Sequence, residues 1–167
     1  MILLFSCIFV VLKQTHNLSM KGIIDAELAS LRVLIVDDMP ANALLLKTVL
    51  KKFAYQLEIV NNGFAALEKM KKWKPDIVLL DVMMPGMNGY QVADIIKEDP
   101  LNENISIIFI TALHSSDTVI KAFEHGGCDY LSKPFNNQEV GLRVRQQASV
   151  ILARRKLMEQ QNEIQLI

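Results

Sequence analysis

The chain has 167 residues, 51% of them hydrophobic, with Lys+Arg and Asp+Glu balanced at 18 each and a formal net charge of +0. That length suits one domain with appendages, and the charge balance leaves no electrostatic footprint for nucleic acid or a membrane surface. Cys7 and Cys128 have neither disulfide-framework nor metal spacing, which fits a reducing, cytoplasmic compartment.

Residues 1–30 form an apolar stretch and a lead-in. Met1 to Leu12 is apolar apart from Ser6, yet it falls short of the ~20 residues of a membrane-spanning helix. It lacks the basic start and cleavage site of a signal peptide. A weak anchor, a helix packed on the domain or a partner, and sequence upstream of a start at Met20-Lys21 all fit, the last best. The spacing of Ile23 to Leu31 is helical. His16 reads as solvated, and membrane insertion is not expected.

From Leu31 the pattern alternates strand and helix five times. Arg32–Val36 is a buried strand ending in Asp37-Asp38. Pro40, which suits a first turn, opens a helix whose periodic positions are Leu44, Leu45, Thr48, Val49 and Phe53. Leu57–Val60 is the second strand, followed by the turn Asn61-Asn62-Gly63. Phe64–Trp73 is a helix with Leu67, Met70 and Trp73 on its core face. Ile77–Leu80 is a continuous apolar run ending in Asp81, the pattern of a strand buried on both faces. Tyr90–Lys97 is the third helix, with Val92, Ile95 and Ile96 facing in, stopped by Asp99-Pro100. Ile105–Ile110 is a strand ending at Thr111. Ser115–His125 is a helix closed by Gly126. Tyr130-Leu131-Ser132 is the last strand and leads to Lys133-Pro134. Cys128 reads as a small buried hydrophobe, and His114 and His125 as surface residues. The pattern predicts an α/β fold, a doubly wound five-stranded parallel sheet of order 2-1-3-4-5 with helices on both faces and an extended C-terminal helix.

In a parallel sheet the C-terminal strand ends share one edge. That edge gathers Asp37, Asp38, Asp81, Thr111 and Lys133: three carboxylates, a hydroxyl and an ammonium from four strand ends far apart in sequence. Each residue alone could merely terminate its strand; all four ends together fit that reading poorly. Clustered carboxylates repel one another, and a divalent cation relieves the repulsion. Oxygen donors with no His or Cys nearby point to Mg²⁺, with Asp38 and Asp81 as direct ligands and Asp37 reaching through water. A carboxylate beside Mg²⁺ can attack phosphorus to give an aspartyl-phosphate. Thr111 and Lys133 can then hold phosphoryl oxygens.

Asp37-Asp38, the stretch DVMMPGMNG containing Asp81, Thr111-Ala112, and Tyr130-Leu131-Ser132-Lys133-Pro134-Phe135 together resemble the receiver domain of two-component response regulators. The spacings of 30 residues from Asp81 to Thr111 and 22 to Lys133 make the match specific. It implies a receiver domain over 31–146 and a helical extension over 147–167. It implies that Asp81 accepts a phosphoryl group from a sensor histidine kinase or phosphotransfer protein, that the Met83 backbone carbonyl joins the metal, and that Lys133-Pro134 is cis. It further implies a switch in which Thr111 moves inward, Tyr130 rotates, and the surface of helix four, strand five and helix five changes. The small Ala112 fits an accessible phosphoryl site, and Met83 near the mouth would slow hydrolysis. Ala54, where the family often has glycine, and Cys128 are the departures.

The C-terminal helix begins at Asn136 with a cap resembling a capping box to Glu139. It carries two seven-residue series: Val144, Ile151 and Met158, and Val150, Leu157 and Ile164. That is fewer clean heptads than a coiled coil needs. A dimerising or signal-relaying extension is favoured over a solvated, frayed helix. Homodimerisation through helix four, strand five and helix five or through the C-terminal helix is accordingly expected.

The main expectation is a signalling switch that catalyses its own modification and turns over no separate substrate. An aspartyl-phosphate phosphatase wants a second acid two residues after the nucleophile, where this chain has Met83. A pseudo-receiver that binds partners without phosphate is the remaining alternative, and the intact site residues argue against it.

Overall fold

In a computed structural model, residues 27–112 and 116–165 are described. The expectations for residues 1–26, and for His114, lie outside them. Five strands form one parallel sheet: β1 (Arg32–Val36), β2 (Gln56–Val60), β3 (Ile77–Asp81), β4 (Ser106–Thr111) and β5 (Asp129–Ser132). Their order is β2-β1-β3-β4-β5, as the pattern predicts. The connecting helices are α1 (Pro40–Leu50), α2 (Gly63–Trp73), α3 (Gly89–Glu98) and α4 (Ser116–Glu124), and α5 (Asn137–Gln165) runs on for 29 residues. Among the described residues no helix is long and apolar enough to cross a membrane.

The strands read as unbroken apolar runs because both sheet faces are covered. Alternate residues go to opposite cores. Val33, Ile35, Ile77, Leu79, Ile108 and Ile110 pack with α1 and α5, joined by Leu28 and Leu31 from the lead-in. Leu34, Val36, Val78, Leu80, Ile107 and Phe109 pack with α2, α3 and Ala122 of α4. β3 is central and buried along its whole length, so the residue at its end is held firmly.

Local chemistry sets the helix ends. Pro40 is at the first turn of α1. The Asn62 side chain accepts from Ala65 N at the start of α2, at 2.8 Å. Asn88 and Gln91 make a reciprocal capping box on α3. Asn136 accepts from Gln138 N and Glu139 N at the start of α5, while the Glu139 carboxylate turns to Arg143 instead of closing a box.

Several expectations need correcting. The inward face of α1 is Ala43, Leu46, Val49 and Leu50, and Leu44 and Leu45 are exposed. Apolar residues run almost unbroken from Ala43 to Leu46, so periodicity does not settle the phase of this helix. Ile95 of α3 is likewise exposed, unlike Val92 and Ile96. Cys128 is exposed, not buried, with its thiol donating to the Ile107 carbonyl at 3.2 Å. His125 is a bridging residue: its Nδ1 lies 2.7 Å from Asp94 Oδ1, and its ring stacks on Tyr90 at 4.7 Å, tying the end of α4 to α3.

Candidate functional site

Register brings the acids together. Val36 pairs with Leu80 across β1 and β3, so Asp37, just past the end of β1, comes beside Asp81, the last residue of β3. Asp81 itself pairs with Ile110, one residue before Thr111, and Thr111 pairs with Ser132, one residue before Lys133. The Lys133 amide donates to the Thr111 carbonyl at 2.8 Å. The Lys133-Pro134 bond is cis, as the resemblance implies.

The side chains converge accordingly. Asp37, Asp81 and Thr111 are buried, and Asp38 is half-buried. One carboxylate oxygen from each of Asp37, Asp38 and Asp81 lies within 4.8 Å of the others. The Lys133 ammonium is 2.7 Å from Asp81 Oδ2 and 3.0 Å from Asp37 Oδ2. Asp81 Oδ1 accepts from Met83 N at 3.2 Å. Asp37 Oδ1 accepts from Met39 N at 2.9 Å and from the Asn42 side chain at 3.3 Å. Asp37 Oδ2 is buried, and the Lys133 ammonium is its partner.

The electrostatics follow from crowding and burial. Burial raises the pKa of Asp81 and the Asp37 charge adds to it; the hydrogen bond from Lys133, its charge, and the Met83 amide oppose this without cancelling it. Burial alone would lower Lys133, but Asp81 and Asp37 outweigh it and hold the ammonium above its ordinary value. One cation thus serves two carboxylates while a third stands beside them. The donor set is three hard carboxylate oxygens within 4.8 Å of one another, more negative charge than one ammonium offsets, which fits a hard divalent cation.

Tyr130 lies on β5 opposite Phe109, two residues before the partner of Thr111. The two residues therefore face the same side of the sheet. The Tyr130 ring is half-buried, with the Arg143 guanidinium 5.9 Å from its centroid. Met83 is 65% exposed at the mouth, beside the buried Met84.

Two contributors escape sequence reasoning. A Cβ on Gly89 would come within 2.3 Å of the Asp81 carbonyl oxygen, so only glycine lets α3 start against the end of β3. Asn42, which steadies Asp37, sits five residues along on α1 with no motif of its own. The glycine's place in PGMNG was a usable signal; Asn42 offered none.

Residues 33–145 match the response regulator receiver domain family. The chain is 40% identical over 116 residues to the response regulator PleD of Caulobacter vibrioides, covering 70% of this chain and 26% of PleD. It is 37% identical over 114 residues to the DNA-binding response regulator MtrA of Mycolicibacterium smegmatis, covering 68% of this chain and 49% of MtrA. The chain thus spans about a quarter to a half of these relatives. Among solved structures, the BeF3-activated receiver domain of DrrB from Thermotoga maritima superposes with a TM-score of 0.64 at 28% identity, covering 71% of this chain and 97% of that one. With the family match, the fold and the acidic strand edge in agreement, the chain belongs to the receiver domains of two-component response regulators.

Proposed function

We propose that this receiver is switched by phosphorylation of Asp81. The observation that carries the reading is the convergence of Asp37, Asp38 and Asp81 on one strand edge, with Lys133 2.7 Å from Asp81. The donor is a sensor histidine kinase or a phosphotransfer protein bearing a phosphohistidine. Asp38, Asp81 and the Met83 backbone carbonyl would hold Mg²⁺, with Asp37 reaching it through water, and the ion would supply positive charge for the phosphoryl oxygens.

The chain's own groups do the rest. A carboxylate oxygen of Asp81 forms the O–P bond as the P–N bond of the donor breaks, and the imidazole leaves with its electron pair and takes up a proton. Lys133, already charged and aimed at Asp81, turns to a phosphoryl oxygen. Thr111, at the end of β4, donates its hydroxyl to another. Tyr130 then takes up the space Thr111 leaves, and the α4–β5–α5 surface changes. The output is a signal to a partner or an attached domain, with no separate substrate turned over.

Homodimerisation through the α4–β5–α5 face or the C-terminal helix is part of this reading. A cytoplasmic setting is too, supported by the two unpaired-pattern cysteines and by where such donors work.

The test is intact mass after incubation with Mg²⁺ and a small phosphodonor, on the wild type and Asp81→Asn. A single phosphoryl adduct on the wild type, absent from the variant, is the expected result. A folded, Mg²⁺-binding wild type that takes no adduct would instead favour a phosphate-independent binding module.

A further inference from the structure

The two seven-residue series of α5 lie about 100° apart around the helix, and Met158, the last of the first series, is exposed. Val144 and Ile151 are buried in the core alongside Val140 and Ala148. Val150, Leu157 and Ile164 stay 47%, 60% and 73% exposed. At 3.6 residues per turn, Ala153 and Gln160 fall between them on the outer side, and both are exposed. The five make an uncharged a/d seam of about two heptads.

Three consecutive cations tie the helix to the rest of the domain. Arg154 donates to the Asn104 side chain at 3.0 Å, Arg155 pairs with Asp76, and Lys156 pairs with Glu27 at 2.8 Å. Their partners sit on three separate segments: just before β4, just before β3, and ahead of β1. Successive helix residues diverge by about 100°, so the three contacts span a wide arc. The helix cannot roll about its axis without losing one of them. Asp76 also accepts from the Arg32 amide at 2.8 Å, which fixes that anchor to the sheet.

We propose that this clamp sets the roll of α5 and presents the Val150–Ala153–Leu157–Gln160–Ile164 seam to a second copy of this chain, the two helices lying parallel. The proposal rests on the homodimer reading above and selects the C-terminal helix over the α4 face. A second copy suits the seam because it is self-matching: apolar a positions meet their own kind, Ala153 permits close approach, and Gln160 meets Gln160. In the parallel arrangement the flanks place Ser149 opposite Arg154 and Lys156 opposite Gln161 of the second copy, so no like charges meet. Two heptads alone are too short to pair firmly. A helix already ordered by the clamp loses less freedom on pairing. Breaking the clamp therefore weakens association, although Arg155 and its ion pair lie away from the seam.

Sedimentation equilibrium of the full chain, from micromolar to submillimolar concentration, tests this. The wild type is expected to show reversible dimerisation. Leu157→Glu is expected to weaken it about tenfold or more, while Ile120→Asp on the exposed side of α4 leaves it unchanged. Lys156→Glu is expected to weaken it several-fold, with the Glu27→Lys/Lys156→Glu exchange restoring it. Circular dichroism checks that each variant is folded. A wild type that stays monomeric overturns both the seam and the homodimer reading, leaving the Asp81 reading to its own mass test. Dimerisation lost in Ile120→Asp but kept in Leu157→Glu overturns the seam while preserving the homodimer. An exchange variant as weak as Lys156→Glu overturns the clamp.

Discussion

Asp81 is held in the fold at an electrostatic cost, because its carboxylate is buried and faces Asp37, and Lys133 compensates only in part. Its pKa in the fold lies above the ordinary 3.8. Ionised Asp81 therefore lowers stability as pH rises from the unfolded value through the folded one, and the contribution is harmless below both. Without metal, Asp81→Asn is expected to melt higher than the wild type at pH 7. A rise of about 3 °C is what ~1 kcal/mol gives a chain of this size, and the gap should close near pH 3. Scanning calorimetry in chelator checks this; an unchanged or lower melting temperature at pH 7 would contradict the crowded-acid account. Met83 is a second point at this scale. Its exposed side chain stands two residues from Asp81, the proposed acceptor, and we predict that Met83→Asn shortens the phosphoryl lifetime several-fold, as followed by loss of the mass adduct. An equal lifetime would remove the steric role. The acids, the hydroxyl and the lysine were legible in the sequence because a parallel sheet sends all its C-terminal ends to one edge. Asn42 was not, since a lone asparagine on a helix has no pattern until its neighbour is placed.

The elements themselves were legible where periodicity was sharp and where punctuation was strong. β3 and β4 are continuous apolar runs of strand length bounded by turn signals, and Pro40, Asn62, Asp99 and Gly126 mark ends that the structure keeps. The phase of α1 was not legible, since its apolar residues crowd two faces and the sheet alone decides which face is used. Cys128 shows the same limit: its chemistry suits the core, but its place at the turn before β5 leaves it exposed. Ala54 is different, since its departure from a glycine position now has a structural meaning. It follows the short 3₁₀ turn after α1 with φ of 63°, in the left-handed region. A Cβ there costs roughly 1 kcal/mol, offset in part by the unfolded-state entropy of glycine. Ala54→Gly is thus expected to stabilise the protein by about 0.5 kcal/mol, read as a higher urea midpoint at unchanged slope. A lower midpoint would show that the turn tolerates its side chain without strain.

At the scale of the whole molecule, the two ends of β3 do different work. Asp81 ends the strand at the acidic edge, and Asp76, just before its start, holds Arg155 at the opposite edge. The sequence shows α5 to be long but not which parts of it are held. The alternation of core faces, the lead-in residues Leu28 and Leu31, and the three cations after Ala153 had to be assembled in space before the helix could be divided into a fastened part and a free part. That division has a mechanical consequence. With 29 residues at 1.5 Å each, α5 is about 44 Å long, and the stretch beyond Lys156 projects as an arm of about 14 Å. The clamp is its fulcrum. A tilt of about 10° at the fulcrum would sweep the tip by more than about 2 Å. If the proposed phosphorylation of Asp81 tilts the helix, the long arm would turn a change at one carboxylate into a displacement of the size by which helices shift against their neighbours when proteins switch.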